Sequence, residues 1–126
     1  MHDASDDDLV ALYRRARVVV LPSVYRDRYG VFSRVPELLG QTLLEGMACE
    51  AATICTDVAS MPEIVVDGVT GRVVPAGDGA ALAAAVSWMR DHEHEASSMG
   101  RAGRARVLER FTWHAVVDRC LEAYAA

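Results

Sequence analysis

Glu37 and Glu45 are the side chains of this sequence whose type and spacing best suit binding chemistry, and Gly40 lies between them in the segment PELLGQTLLEGMACEAATICTD, residues 36–57. A glycine there lets the backbone come close to a ligand, because no Cβ intervenes. If a helix starts directly after it, the N–H groups of Gln41, Thr42 and Leu43 have no partner inside the helix, and they suit an anion such as a diphosphate. Glu37 would then stand before the anion site and Glu45 one helical turn inside it. Each carboxylate accepts two hydroxyl hydrogen bonds, as a vicinal diol demands. A sugar nucleotide carries such diols on both ribose and hexose. Taken alone, two glutamates at this spacing are more often a dipole partner and a solvated helix residue.

Several elements must hold that segment in place. Ser5, with Asp8 three positions later, opens a helix whose far end carries Arg14, Arg15 and Arg17, so that both ends suit the helix dipole. Leu9, Leu12, Tyr13 and Ala16 fall on one face and give this helix a side to bury. The apolar run Val18 to Leu21, stopped by Pro22, predicts a central strand covered on both faces. From Ser23 to Pro36 there is no clean period. Arg26, Asp27, Arg28, Tyr29 and Gly30 predict a polar, mobile loop at the strand's carboxyl end, where doubly wound sheets bind ligands. Arg26, Arg28 and Arg34 suit a solvated loop better than a phosphate site.

A short helix over about 41–49 follows, then a strand over 53–55 closing at Thr56 and Asp57. One or two helical turns over 61–66 lead through a turn at Asp67, Gly68, Thr70 and Gly71 into a third strand, 72–74. The remainder reads as helical. Leu82, Val86 and Met89 mark one amphipathic helix, and Ala96, Met99, Gly100, Gly103 and Val107 mark a second with a face of small residues. Each helical glycine costs roughly 1 kcal/mol, so that face calls for a closely packed neighbour. Thr112 caps a last helix whose stripe of Trp113, Val116, Val117, Cys120, Leu121 and Tyr124 needs a surface to pack on. This order predicts an α/β fold with three parallel strands flanked by helices, because right-handed crossovers make that topology the economical one.

The whole chain bounds the partners. Its 126 residues, 52% hydrophobic and 25% charged, suit one globular domain, and a net charge of -5 opposes nucleic acid and anionic membranes. Cys49, Cys55 and Cys120 lack the spacing of a metal or redox motif and are expected in the core. His92, Glu93, His94 and Glu95 suit a charged connection rather than a metal site, since the two imidazoles point to different sides of a helix. His114, at the start of the last helix, suits packing or capping. A nicotinamide site is disfavoured because no glycine triplet follows a strand, and a hydrolase elbow of the form Gly-x-Ser-x-Gly is missing. The acidic stretch Met1 to Asp8 does not resemble a secretory signal, and no apolar run reaches membrane-spanning length, so the expected location is the cytoplasm.

The motifs together resemble the retaining glycosyltransferases of the GT-B architecture, in particular the group often called family 4. Their signature is a glutamate, seven intervening residues, and a second glutamate followed by a small residue, methionine and alanine, matched here by Glu37, Glu45, Gly46, Met47 and Ala48. The likeness extends to Leu12 to Ala16 leading into Val20 to Ser23, to Thr56 and Asp57, and to Pro62 to Val65. It continues through Asp67 to Gly71 and Val74 to Asp78, and it closes with Arg110 to Trp113.

The resemblance implies a partial Rossmann-like fold, residues 1–126 forming the back half of a GT-B donor-binding domain that binds a nucleotide diphosphate sugar. It implies that Glu37 contacts donor-sugar hydroxyls near the reacting carbon, that Glu45 holds the ribose, and that Gly40, Gln41, Thr42 and Leu43 supply backbone contacts to the diphosphate. No metal or other cofactor is implied, because protein groups and the helix terminus stabilise the departing phosphate. The family binds its acceptor in a separate preceding domain.

The chain departs from the family pattern in three ways. Glu50, Ala51 and Ala52 stand where glycine, a small residue and proline are usual, which places a glutamate at a helix-ending, left-handed position. Ala59 and Ser60 stand where the family commonly has two glycines. The strands and the glycine-rich, basic loop that usually come first are missing, so the polypeptide is expected to be inactive alone and to expose the edge of the Val18 to Leu21 strand. Self-association through that edge, or pairing with a chain that supplies the missing half, is expected. The rival reading is a non-catalytic half-domain that acts as an interaction or scaffold module.

Overall fold

A computed structural model describes residues 4–125. Helix α1 (Asp6–Arg15) starts as its sequence requires, with the Ser5 hydroxyl accepting the Asp8 N–H and the Asp8 carboxylate accepting the Ser5 N–H in return. This bond to Ser5 holds the Asp8 carboxyl below the usual aspartate range. Strand β1 (Val18–Leu21) follows, then α2 (Gln41–Ala48), β2 (Ala52–Thr56), α3 (Met61–Ile64), β3 (Gly71–Val74), α4 (Gly79–Asp91), α5 (Glu93–Arg110) and α6 (Trp113–Ala125).

The three strands form one parallel sheet in the order β1-β2-β3, with Val18 opposite Ala52 and Thr53 opposite Gly71. β2 is buried along its whole length, and its alternate residues serve two cores. Cys55 joins Leu43, Met47, Val58, Met61, Ile64 and Val65 on the side of α2 and α3. Ala52 and Ile54 join Val74, Ala85, Met89, Ala96 and Met99 on the side of α4 and α5. The sheet is thus covered on both faces, as a doubly wound fold requires.

The small-residue face of α5 does what its composition demands. A Cβ on Gly100 would lie 2.0 Å from the Glu50 carbonyl oxygen, and one on Gly103 would lie 3.2 Å from the Met47 side chain, so α5 reaches the end of α2 only because glycine stands there. Glu50 itself has φ 65°, the left-handed conformation expected where the family pattern has glycine, and Ala59 has φ 50° at the second departure.

Some expectations are corrected. The fully covered strand is β2, whereas β1 lies at a sheet edge with Val19 as its one buried residue. Helix α1 buries nothing completely: Leu9 and Leu12 are exposed, while Tyr13 and Ala16 are half-buried against the rest. On α4 the core contact is made by Ala85 and Met89, and Val86 faces outward. The stripe of α6 is largely uncovered: Val116 is half-buried where α6 meets α5, but Trp113 is 85% exposed and Val117, Leu121 and Tyr124 are exposed too, although Thr112 does cap this helix through the Ala115 N–H. Cys55 is in the core, Cys49 is half-buried and Cys120 is exposed. His114 is exposed as well. The segment expected as a polar loop is exposed throughout residues 25–33 and is folded as a hairpin, closed by an antiparallel bridge between Arg26 and Phe32 and by the Asp27 carboxylate accepting the N–H groups of Tyr29 and Val31.

Candidate functional site

The site lies at the carboxyl end of the sheet, where side chains stitch the loops together. The Thr56 hydroxyl donates to the Ser23 carbonyl at 2.6 Å, and the Asp57 carboxylate accepts the Ala76 N–H at 2.7 Å. These bonds tie the loops after β1, β2 and β3 into one rim.

Gly40 provides the start of α2. Its φ of 71° turns the chain sharply into the helix, a conformation that a residue with a Cβ adopts only under strain. Glu37, half-buried, folds back on this turn. Its Oε1 accepts the Leu38 N–H at 3.0 Å and the Gly40 N–H at 3.2 Å. The Leu43 N–H is used internally by the Gly40 carbonyl at 2.9 Å, and the Leu43 side chain is fully buried. Of the four amides expected to face a diphosphate, Gly40 and Leu43 are therefore engaged. Those of Gln41 and Thr42 have no hydrogen-bond partner among the described residues and form the open start of the helix.

Glu45 stands four residues after Gln41 and three after Thr42, so it shares their helix face one turn further in. Its Oε2 accepts the Tyr13 hydroxyl of α1 at 2.8 Å. Partial burial and the neighbouring Glu45 carboxylate push the Tyr13 phenol above its ordinary range, so it stays protonated and a donor. Glu45 and Tyr13 line a cavity of about 290 Å³ between α1 and α2, walled also by Leu9, Val10, Ala48 and Cys49. Glu37 is not part of that wall. The two glutamates are brought to one end of α2, Glu37 at its entrance and Glu45 on its flank, rather than into one closed pocket.

Tyr13 is the site residue that the sequence pattern conceals. Among leucines at helical spacing it counts as an apolar face residue, and only its hydroxyl signals a polar role. His92 to Glu95 form the junction of α4 and α5, with His92 stacked on Trp88 at 4.5 Å between ring centroids, and Glu93 paired with Arg17. Among the described residues there is no helix long and apolar enough to cross a membrane.

Known proteins resemble this chain in sequence and in fold. Residues 1–106 match the family model described as Glycosyl transferases group 1. The chain is 36% identical over 115 residues to α-maltose-1-phosphate synthase of Mycobacterium tuberculosis, covering 86% of this chain and 27% of that protein. It is 32% identical to a glycogen synthase of the same organism over 119 residues, 94% of this chain and 26% of that protein. Among solved structures, sucrose-phosphate synthase of Thermosynechococcus elongatus superposes with a TM-score of 0.75 at 30% identity, over 97% of this chain and 28% of that one. The chain thus spans about a quarter of the length of the curated relatives it matches. The fold, the order of its motifs and the family match agree, and the chain belongs to the group 1 glycosyltransferases of the GT-B fold.

Proposed function

We propose that these residues are part of the donor-binding domain of a retaining glycosyltransferase and bind a nucleotide diphosphate sugar, catalysis requiring more protein than the 126 residues supply. The observation that carries this reading is the start of α2, where the open amides of Gln41 and Thr42 stand over a carboxylate that Tyr13 fixes one turn below. The diphosphate would take the two amides, with the positive end of the helix behind them. Glu45 would accept the ribose diol, and Glu37, one oxygen held by the Gly40 turn, would turn the other towards the hydroxyls of the donor sugar near the reacting carbon. Gly40 and Leu43 shape the turn, with their own amides satisfied inside it. The reading is supported by an Anabaena structure of the same fold, HepE, solved in complexes with UDP and with UDP-glucose.

Beside the donor, the reading includes a protein partner at β1. Asp67 accepts the Val73 N–H on β3, at one side of the sheet, whereas β1 carries no such guard among the described residues. A further strand, from a second copy or from additional chain, would pair there.

The test is calorimetric titration of the chain with UDP-, GDP- and ADP-sugars, in parallel with Glu45→Ala. Binding of one donor that the variant loses supports the reading. No heat with any donor would leave the scaffold role as the better account of the open edge of β1 and the exposed stripe of α6.

A further inference from the structure

The hairpin after β1 is hydrogen-bonded to the turn that precedes α3. The Tyr25 phenolic oxygen accepts the Ala59 N–H at 3.1 Å, and the Tyr25 ring stacks on Phe32 across the hairpin with 6.4 Å between centroids. The hairpin is braced by the Ser33 N–H on the Tyr25 carbonyl at 2.8 Å and by the Arg26 guanidinium on the Gly30 carbonyl at 2.7 Å. Tyr25 is therefore held on its own side and offers Ala59 a fixed acceptor.

Ala59 needs one. It occupies the left-handed region at φ 50°, between Val58 and Met61, both fully buried. A side chain avoids that conformation, which persists only where the surroundings impose it. Next to it, the Ser60 hydroxyl donates to the Leu38 carbonyl at 2.9 Å, and the Leu38 N–H donates to Glu37 Oε1 at 3.0 Å. Three hydrogen bonds and the short turn between them thus run from the Tyr25 phenol to the Glu37 carboxylate.

We infer that Tyr25 is a positioning residue for Glu37: its phenolic oxygen holds the Ala59–Ser60 turn in place, and the turn holds the loop that aims Glu37 at the sugar. This rests on the donor reading above. Glu45 and the open amides of α2 lie outside the path, so Tyr25 governs the sugar end of the donor and leaves the nucleotide end alone.

The experiment compares the wild-type chain with Tyr25→Phe, Ser60→Ala and the double variant Tyr25→Phe/Ala59→Gly. Each is titrated with the best-bound of UDP-, GDP- and ADP-glucose and with the matching nucleoside diphosphate. Tyr25→Phe and Ser60→Ala each weaken the sugar nucleotide by roughly threefold to tenfold, the range of one net hydrogen bond, and leave the nucleoside diphosphate unchanged. In the double variant, glycine adopts the turn without the bond and sugar-nucleotide affinity returns. Equal affinity of Tyr25→Phe for the sugar nucleotide, an equal loss for both ligands, or no recovery with glycine would overturn the inference while the donor reading stands. Wild-type protein that binds neither ligand overturns both.

Discussion

The Tyr13 hydroxyl of α1 donates to Glu45 Oε2 of α2 at 2.8 Å, across 32 residues of sequence. One lone pair of the carboxylate is thereby occupied and its rotation about χ3 restrained, so that a ribose would meet a carboxylate already oriented. Tyr13→Phe removes the bond and keeps the ring. The expected result is a loss of about 1 kcal/mol in unfolding free energy, measured with urea, together with weaker binding of nucleoside diphosphate by calorimetry. Unchanged affinity for the nucleotide would show that Glu45 does not need the phenol for orientation.

Gly100→Ala places a methyl group 2.0 Å from the Glu50 carbonyl, a backbone atom with nowhere to move except with the end of α2. Overpacking of this kind costs roughly 1–3 kcal/mol or more. Urea unfolding of the variant is expected to show at least that loss, and a midpoint equal to wild type would mean that α5 can shift away freely.

Glu50→Gly addresses the same junction from the other side. At φ 65° a glutamate is strained by about 1 kcal/mol relative to glycine, and its pairing with Arg104 at 3.7 Å is exposed and contributes little. The substitution is expected to raise the urea midpoint. A lowered midpoint would assign the Arg104 contact more weight than its exposure suggests.

Burial pushes the Cys55 thiol up to about 12 from its ordinary value of 9.0, with the carboxylates of Asp67 and Asp57 adding to the effect. The folded state keeps this proton where the unfolded state loses it. The stabilising contribution is therefore complete below about pH 8 and declines as pH rises from about 9 towards 12. At pH 8 a thiol reagent should modify exposed Cys120 quickly and Cys55 only after unfolding. Rapid modification of Cys55 in native protein, read by mass spectrometry, would contradict the packing of β2.

The open edge of β1 should show itself in solution. The isolated 126-residue chain is expected to run larger than a monomer in size-exclusion chromatography with light scattering, and Val20→Lys, which charges an exposed strand position, should shift it towards monomer. A strictly monomeric wild type would remove β1 as an association surface.

How much of this was legible varies with the range of the interaction. The capping box at Ser5 and Asp8, the alternation of helices and strands along the chain and the crowded glycines of α5 are visible because each follows from local spacing or from a residue type with one physical use. The left-handed backbone at Glu50 was legible through the missing glycine of the family pattern, whereas at Ala59 the pattern marked only the place. The hairpin over 25–33 was not, since its order comes from an Asp27 carboxylate that folds onto two amides and from an aromatic pair, and neither leaves a period in the sequence. Leu9, Leu12 and the stripe of α6 were expected inside for their hydrophobicity. Spacing shows which residues share a face and says nothing of whether a partner surface covers it.

By itself the sequence determined the class of fold, the family, and the spacing of two glutamates about a glycine that opens a helix. Tertiary structure alone decided which amides at that helix start remain open, which strand is central, and that two tyrosines bond across distant segments, Tyr13 to Glu45 and Tyr25 to Ala59. The reason is that helix starts and glycine turns are satisfied within a few residues, whereas a phenol finds its partner only after distant segments have packed together.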